Sequence, residues 1–196
     1  MMNCLLAGVG GQGTVLASRL LAQAALEMGE SARTAETIGM AQRGGCVVSH
    51  VRIGGERTGP LIPRGLADVL IGFEPGEAAR CLAYLRPDGL LISAVRPVQP
   101  VRPYDPAPVL DFLRAWPGPQ ALIDGDAVCR AAGSPRTLNT SLLGAAAASG
   151  RLGVTGDALE AALRALLPER LLPMNLAALR TGAEAYRLIE RERMPL

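Results

Sequence analysis

The stretch Gly8-Val-Gly10-Gly11-Gln12-Gly13 joins a short apolar run, Met2 to Ala7, to a helix-periodic segment that begins at Val15. Gly8, Gly10 and Gly13 meet the G-x-G-x-x-G spacing of a strand-to-helix turn. Such a turn lets backbone approach a phosphate closely, and the free amides and dipole of the following helix favour an anion. With Gly11 and Gln12 between them, these glycines are the candidate cofactor-binding residues. Glu36 lies about 20 residues further on, where a dinucleotide fold places the acid that takes a ribose hydroxyl. A second candidate group follows in Gln42-Arg43-Gly44-Gly45, where an amide and a guanidinium sit among glycines in a loop that can face a ligand or a partner. His50, the single histidine, falls inside the β-branched run Cys46 to Ile53, which favours a satisfied core residue over a catalyst.

Conventional catalytic sets are missing. No Ser-His-Asp arrangement or nucleophile elbow is legible. Cys4, Cys46, Cys81 and Cys129 stand far apart without a C-x-x-C, so neither a zinc site nor an iron–sulfur cluster is expected in this chain. At least three of them read as buried free thiols. Every one of the 20 basic residues is arginine, which excludes a lysine Schiff base and a P-loop lysine. The chain is better equipped to bind than to catalyse alone.

The elements that must position these residues alternate. Met2 to Ala7 reads as a buried strand, and Val15 to Met28 as a helix closed by Gly29. Ser31 to Glu36 and Cys46 to Ile53 are strands, and Ala67 to Phe73 is an apolar run of the kind found in parallel sheets. A helix over 75–84 starts at Pro75, a turn falls at Pro87-Asp88-Gly89, and strands follow at Leu90 to Ser93 and Gln120 to Asp124. Seven prolines between Arg96 and Pro119 leave room only for a short helix at Val109 to Trp116, within an extended excursion over the surface. Helices then occupy Asp126 to Ala132, a small-residue segment from Asn139 to Ala148, a segment opened by an Asp157/Glu160 capping box, and the C-terminal stripe Leu176, Leu179, Ala183 and Tyr186. The pattern predicts one α/β domain over residues 1–196. It is a doubly wound, mostly parallel sheet with helices on both faces and a helical C-terminus.

Composition narrows the function further. The chain of 196 residues is 49% hydrophobic with a net charge of +2, and no apolar run approaches bilayer length. Its first residues lack the basic n-region and small-residue cleavage site of a signal peptide, and there is no basic block, so a cytoplasmic protein without nucleic-acid or membrane partners is expected. High apolarity with few charges fits a subunit that buries one face on a partner. The glycine turn with Glu36 leaves a second reading open, a free-standing nucleotide- or flavin-binding Rossmann-like protein.

Gly8 to Gly13, followed by Thr37-Ile-Gly-Met-Ala-Gln42-Arg43-Gly44-Gly45-Cys-Val-Val-Ser-His-Val-Arg-Ile53, resembles the gamma-type domain of 2-oxoacid:ferredoxin oxidoreductases. Within that family the chain is most similar to the small (beta) subunit of the indolepyruvate type, over essentially its whole length. The resemblance implies an accessory subunit that is inactive alone. The complex would decarboxylate a 2-oxoacid oxidatively, pass electrons to ferredoxin and transfer the acyl group to coenzyme A. It further implies that thiamine diphosphate and [4Fe-4S] clusters belong to a large partner subunit, with no tightly bound cofactor here. A homodimer is the alternative form of the isolated chain. Gln42, Arg43, Gly44 and Gly45 would then border a substrate or coenzyme A channel.

Overall fold

Cys4, Leu5, Leu6 and Ala7 are all fully buried, as expected for a strand covered on both faces. They form the middle of β1 (Met2–Val9), which runs into α1 (Thr14–Glu27). β2 (Ala32–Ile38), β3 (Cys46–Ile53) and β4 (Ala67–Gly72) follow. Then come α2 (Pro75–Cys81), β5 (Leu85–Ala94), α3 (Ala107–Arg114) and β6 (Gln120–Ile123). Four helices close the chain: α4 (Gly125–Ala132), α5 (Leu138–Ala148), α6 (Gly156–Leu166) and α7 (Leu172–Arg193). This computed structural model describes residues 1–39, 45–55, 59–98 and 105–193.

The strands make one six-stranded sheet in the order β2-β3-β1-β4-β5-β6. β1, β4, β5 and β6 pair in parallel, whereas β3 pairs antiparallel with both β1 and β2. Only β3 therefore runs against the rest, and the mostly parallel, doubly wound expectation holds. Period-two alternation divides the strand residues between two cores. Cys4, Leu6, Val69, Ile71, Leu90 and Ile92 face a larger core under α1 and α4 to α7. Leu5, Ala7, Leu70 and Leu91 face a smaller one under α2 and α3.

Three local expectations shift. The Pro87-Asp88-Gly89 turn lies inside β5 instead of before it: pairing jumps from Ala67–Leu85 to Val69–Leu90, so residues 86–89 bulge out of the ladder. The expected long helix over 75–84 correspondingly ends at Cys81 and gives way to a single tighter turn at Leu82–Tyr84. At α6 the cap is Thr155, whose hydroxyl accepts from the Ala158 amide, and Glu160 of the expected capping box instead reaches Arg164 and Arg180.

α5 is buried all round, from Asn139 to Ala146, because it lies between the sheet and α7. Its small side chains are the reason it fits there. A Cβ on Gly144 would come 2.0 Å from the Leu179 carbonyl oxygen, and one on Gly182 would come 1.7 Å from that of Ser141. The two helices thus touch backbone to backbone. Gly182→Ala would gain up to about 1 kcal/mol of helix propensity. Overpacking against an immovable carbonyl costs about 1–3 kcal/mol, which outweighs that gain. The expected result is a lower urea midpoint at an unchanged m-value; an unchanged midpoint would show that the crossing can relax.

Candidate functional site

In an open α/β sheet the ligand crevice lies outside the carboxyl ends of the strands, where the chain leaves in opposite directions. That point falls between β1 and β4. From β1 the chain turns into α1, on the larger-core face, and from β4 into α2, on the other. The glycine turn is the rim of this crevice. Gly11 and Gly13 have φ of 101° and 78°, a region in which only glycine is comfortable. Gly13 serves as the N-cap of α1 with no side-chain cap, and the first turn carries no acid. The amides of Thr14, Val15 and Leu16 therefore lack intrahelical acceptors and point outward with the positive end of the helix dipole. α4, which begins nearby, differs: Asp124 caps it by accepting from the Asp126 and Ala127 amides.

A cleft of about 440 Å³ opens beside the turn, walled by Gly11, Gly13, Leu16, Val98, Arg136 and Asn139. A smaller hollow of about 150 Å³ adjoins it past Gln12, with Arg96 and Asp126, an ion pair, on its wall. Arg136 is exposed and lines the larger cleft together with the uncapped helix start. Asn139 is 4% exposed. Its Nδ2 donates to the Gly13 carbonyl at 3.3 Å while its Oδ1 accepts from Thr140, so the start of α5 is fastened to the turn. A Cβ on Gly13 would lie 2.5 Å from that nitrogen, which gives this glycine a packing reason besides its φ. The arrangement suits an anionic or phosphorylated group: backbone amides and an arginine line the cleft, with apolar Leu16 and Val98 for its less polar part.

The sequence-derived candidates separate here. Gly10, Gly11, Gln12 and Gly13 form the rim, and Gly8 lies directly beneath it at the end of β1. Gly45 joins them, since its carbonyl accepts from the Gly10 amide at 2.9 Å. Gln42, Arg43 and Gly44 lie outside the described residues. Glu36 does not join the group. β3 lies between its strand and β1, so Glu36 is about two strand spacings, roughly 10 Å, from β1. Its carboxylate accepts instead from the Ser18 hydroxyl of α1 at 3.0 Å. Asn139, Arg136 and Arg96 were not singled out as site residues from the sequence, for they reach the turn only through tertiary packing.

His50 is a core residue. It is 5% exposed, its Nδ1 accepts from the Ile62 amide at 3.1 Å, and its ring meets Tyr84 edge-on at 5.9 Å. Burial lowers its pKa from the ordinary 6.5. The cysteines are likewise quiet. Cys4, Cys81 and Cys129 are buried and Cys46 is partly so, all as free thiols. Burial pushes Cys81 up to about 11; burial, reinforced by the neighbouring Glu77 carboxylate, pushes Cys46 up to about 12. Among the described residues no three His, Cys, Asp or Glu side chains converge on a point. These donors do not fit an iron–sulfur cluster, which needs thiolates brought together.

The described residues form a six-stranded α/β fold with a glycine-rimmed cleft at its switch point. Similarity to known proteins identifies the family. The family model for pyruvate ferredoxin/flavodoxin oxidoreductases matches residues 3–185, and the chain belongs to that family. The indolepyruvate oxidoreductase subunit IorB of Thermococcus kodakarensis is 33% identical over 191 residues, covering 93% of this chain and 95% of its own length. The IorB subunit of Methanothermobacter thermautotrophicus is 36% identical over 187 residues, covering 92% and 95%. The same fold occurs in the gamma subunit of a Geobacter sulfurreducens keto/oxoacid ferredoxin oxidoreductase, at a TM-score of 0.72 and 23% identity over 96% of this chain and 99% of that one. It also occurs in the 2-oxoglutarate:ferredoxin oxidoreductase of Magnetococcus marinus with 2-oxoglutarate, coenzyme A and succinyl-CoA bound. There the TM-score is 0.74 and the identity 20%, over 95% of this chain but only 31% of that one.

The His50 geometry sets a pH dependence. Its folded pKa lies below the unfolded value, so the unfolded chain takes up the proton first. Its stabilisation is complete above about pH 6.5 and declines as pH falls below that value. The urea midpoint is expected to drop between pH 7.5 and 5.5, and the drop should shrink in His50→Gln. An equal drop in both proteins would assign the acid sensitivity to other groups.

Proposed function

We propose that this chain is the small subunit of a 2-oxoacid:ferredoxin oxidoreductase whose substrate is indolepyruvate or another arylpyruvate. The activity is the oxidative decarboxylation of the 2-oxoacid to an acyl-CoA, with electrons leaving to ferredoxin. The observation that carries the substrate class is the end-to-end match to indolepyruvate oxidoreductase subunits, at a higher identity than the 28% to pyruvate/ketoisovalerate relatives. Thiamine diphosphate and the iron–sulfur clusters are assigned to the large partner subunit, in keeping with the buried, separated thiols of this chain. The whole chain acts as one domain in this reading, works in the cytoplasm, and turns over only in complex.

Within the complex, the cleft beside Gly11, Gly13, Arg136 and Asn139 borders the channel for coenzyme A. The uncapped start of α1 and the Arg136 guanidinium supply donors for its phosphates. Gly45 is tied to the same rim by the Gly10–Gly45 bond, and Gln42, Arg43, Gly44 and Gly45 are the proposed boundary toward the partner's active centre.

The test is co-expression with the large subunit, anaerobic purification through a tag on this chain, and an assay of indolepyruvate-dependent viologen reduction. A brown complex that requires coenzyme A is expected, and a colourless, inactive chain recovered alone would overturn the reading. In the active complex, Arg136→Ala should raise the KM for coenzyme A about fivefold, on the order of 1 kcal/mol for one partly solvated charge contact. An unchanged KM would place the coenzyme elsewhere.

A further inference from the structure

In a parallel ladder, a residue that donates to one neighbour on the adjacent strand accepts from the residue two further along. Phe73, just past β4, obeys the first half: its amide donates to the Ala7 carbonyl at 2.8 Å. The second half would be the Val9 amide donating to the Phe73 carbonyl. That bond is replaced. Val9 N–H donates to Gln12 Oε1 at 2.8 Å, and Gln12 Nε2 donates to the Phe73 carbonyl at 2.8 Å. One side-chain carboxamide is inserted in series where a single backbone bond would close the sheet.

The surroundings fit that insertion. A Cβ on Gly8 would lie 2.8 Å from Gln12 Oε1, 3.0 Å from Thr14 Oγ1 and 3.2 Å from Phe73 Cβ, so the slot exists because residue 8 has no side chain. Thr14, 3% exposed, leaves its hydroxyl there without a partner among the described residues. The Gln12 backbone amide donates to the Val9 carbonyl at 3.1 Å and closes the turn on itself. Both polar ends of the carboxamide are thus taken by the chain's own backbone, although Gln12 borders both cavities.

The geometry points to Gln12 as a positioning residue rather than a ligand contact: it wedges the carboxyl ends of β1 and β4 one rung apart and so aims the glycine turn and the start of α1 into the cleft. This inference rests on the coenzyme A reading of the cleft only for its kinetic readout.

The test uses Gln12→Leu and Gln12→Glu in the complex with the large subunit. A glutamate carboxylate has the acceptor that Val9 needs but no donor for Phe73, whereas neutral glutamic acid has both. At pH 7.5 both variants are expected to raise the KM for coenzyme A at least fivefold with kcat within twofold of wild type, since a glutamate there is ionised. A KM within twofold of wild type in both variants would overturn the inference. If the wild-type complex does not oxidise indolepyruvate, the proposed function fails and the thermal midpoint of the chain itself decides. The deficit of Gln12→Glu relative to wild type should then shrink from pH 7.5 to pH 4, through the ordinary glutamate range of about 4.3, while that of Gln12→Leu stays constant. The titratable groups lining the cavities beside residue 12 are Arg96 paired with Asp126, Arg136 and Cys129; all are present in wild type, so the difference from wild type isolates residue 12. Equal deficits of Gln12→Glu at both pH values would overturn the wedge.

Discussion

A parallel sheet closes by default, because each added rung satisfies two buried backbone groups at once. The site depends on the place where β1 and β4 stop doing so. β1 is the strand through which everything connects: it pairs with β3 on one side and β4 on the other, and it is buried on both faces. Opening its last rung without stranding a donor or acceptor requires a group that offers one of each. A primary carboxamide does so, and Gln12 provides it. The left-handed glycines and the uncapped start of α1 lie at the opened ends of these two strands.

Around the opening the chain spends its polar groups unevenly. Asp124 caps α4 and Thr155 caps α6, whereas α1 begins on a glycine with no acid in its first turn. A helix start that faces a wall of the cleft and is left uncapped keeps its donors for something else. Asn139, rather than capping α1, reaches the carbonyl of Gly13 and fixes where that start points. Elsewhere the buried polar residues serve the fold. His50 holds the Ile62 amide, and Arg52 binds the carbonyls of Gly59 and Leu61 together with the Asn3 side chain. Both staple the connection between β3 and β4 to the face of the sheet, which explains charged and titratable side chains in an otherwise apolar strand.

Local physics made much of this legible from the residues alone. The apolar run, the glycine turn and the helix-periodic stretch after it are short-range signals, and each sits where it was expected. So do the buried thiols and the core histidine. Strand direction is different. Nothing in Cys46 to Ile53 says that it inserts between β1 and β2 and runs the opposite way, because alternation is the same in either direction. That one insertion sets Glu36 two strands away from β1, where its carboxylate meets Ser18 of α1. The Asn139 contact spans 126 residues of sequence and carries no motif. Gln12 was legible as a site residue, but its function was not, since a glutamine in a glycine turn reads alike whether it faces a ligand or its own backbone. Thr155 caps α6 two residues before Asp157, and both residue types are good caps, so the sequence did not separate them.

The contact between α5 and α7 has a mechanical meaning. Most helix pairs are cushioned by interdigitating side chains that can change rotamer. Here the glycines at 144 and 182 bring carbonyl and Cα into direct touch, and no soft layer separates the two rods. α7 has 22 residues, a span of about 33 Å, and α5 begins beside the residue that holds the glycine turn. A load applied along the C-terminal helix by a neighbouring subunit would reach the cleft rim with little taken up on the way, as through a rigid lever pivoting on a two-glycine bearing.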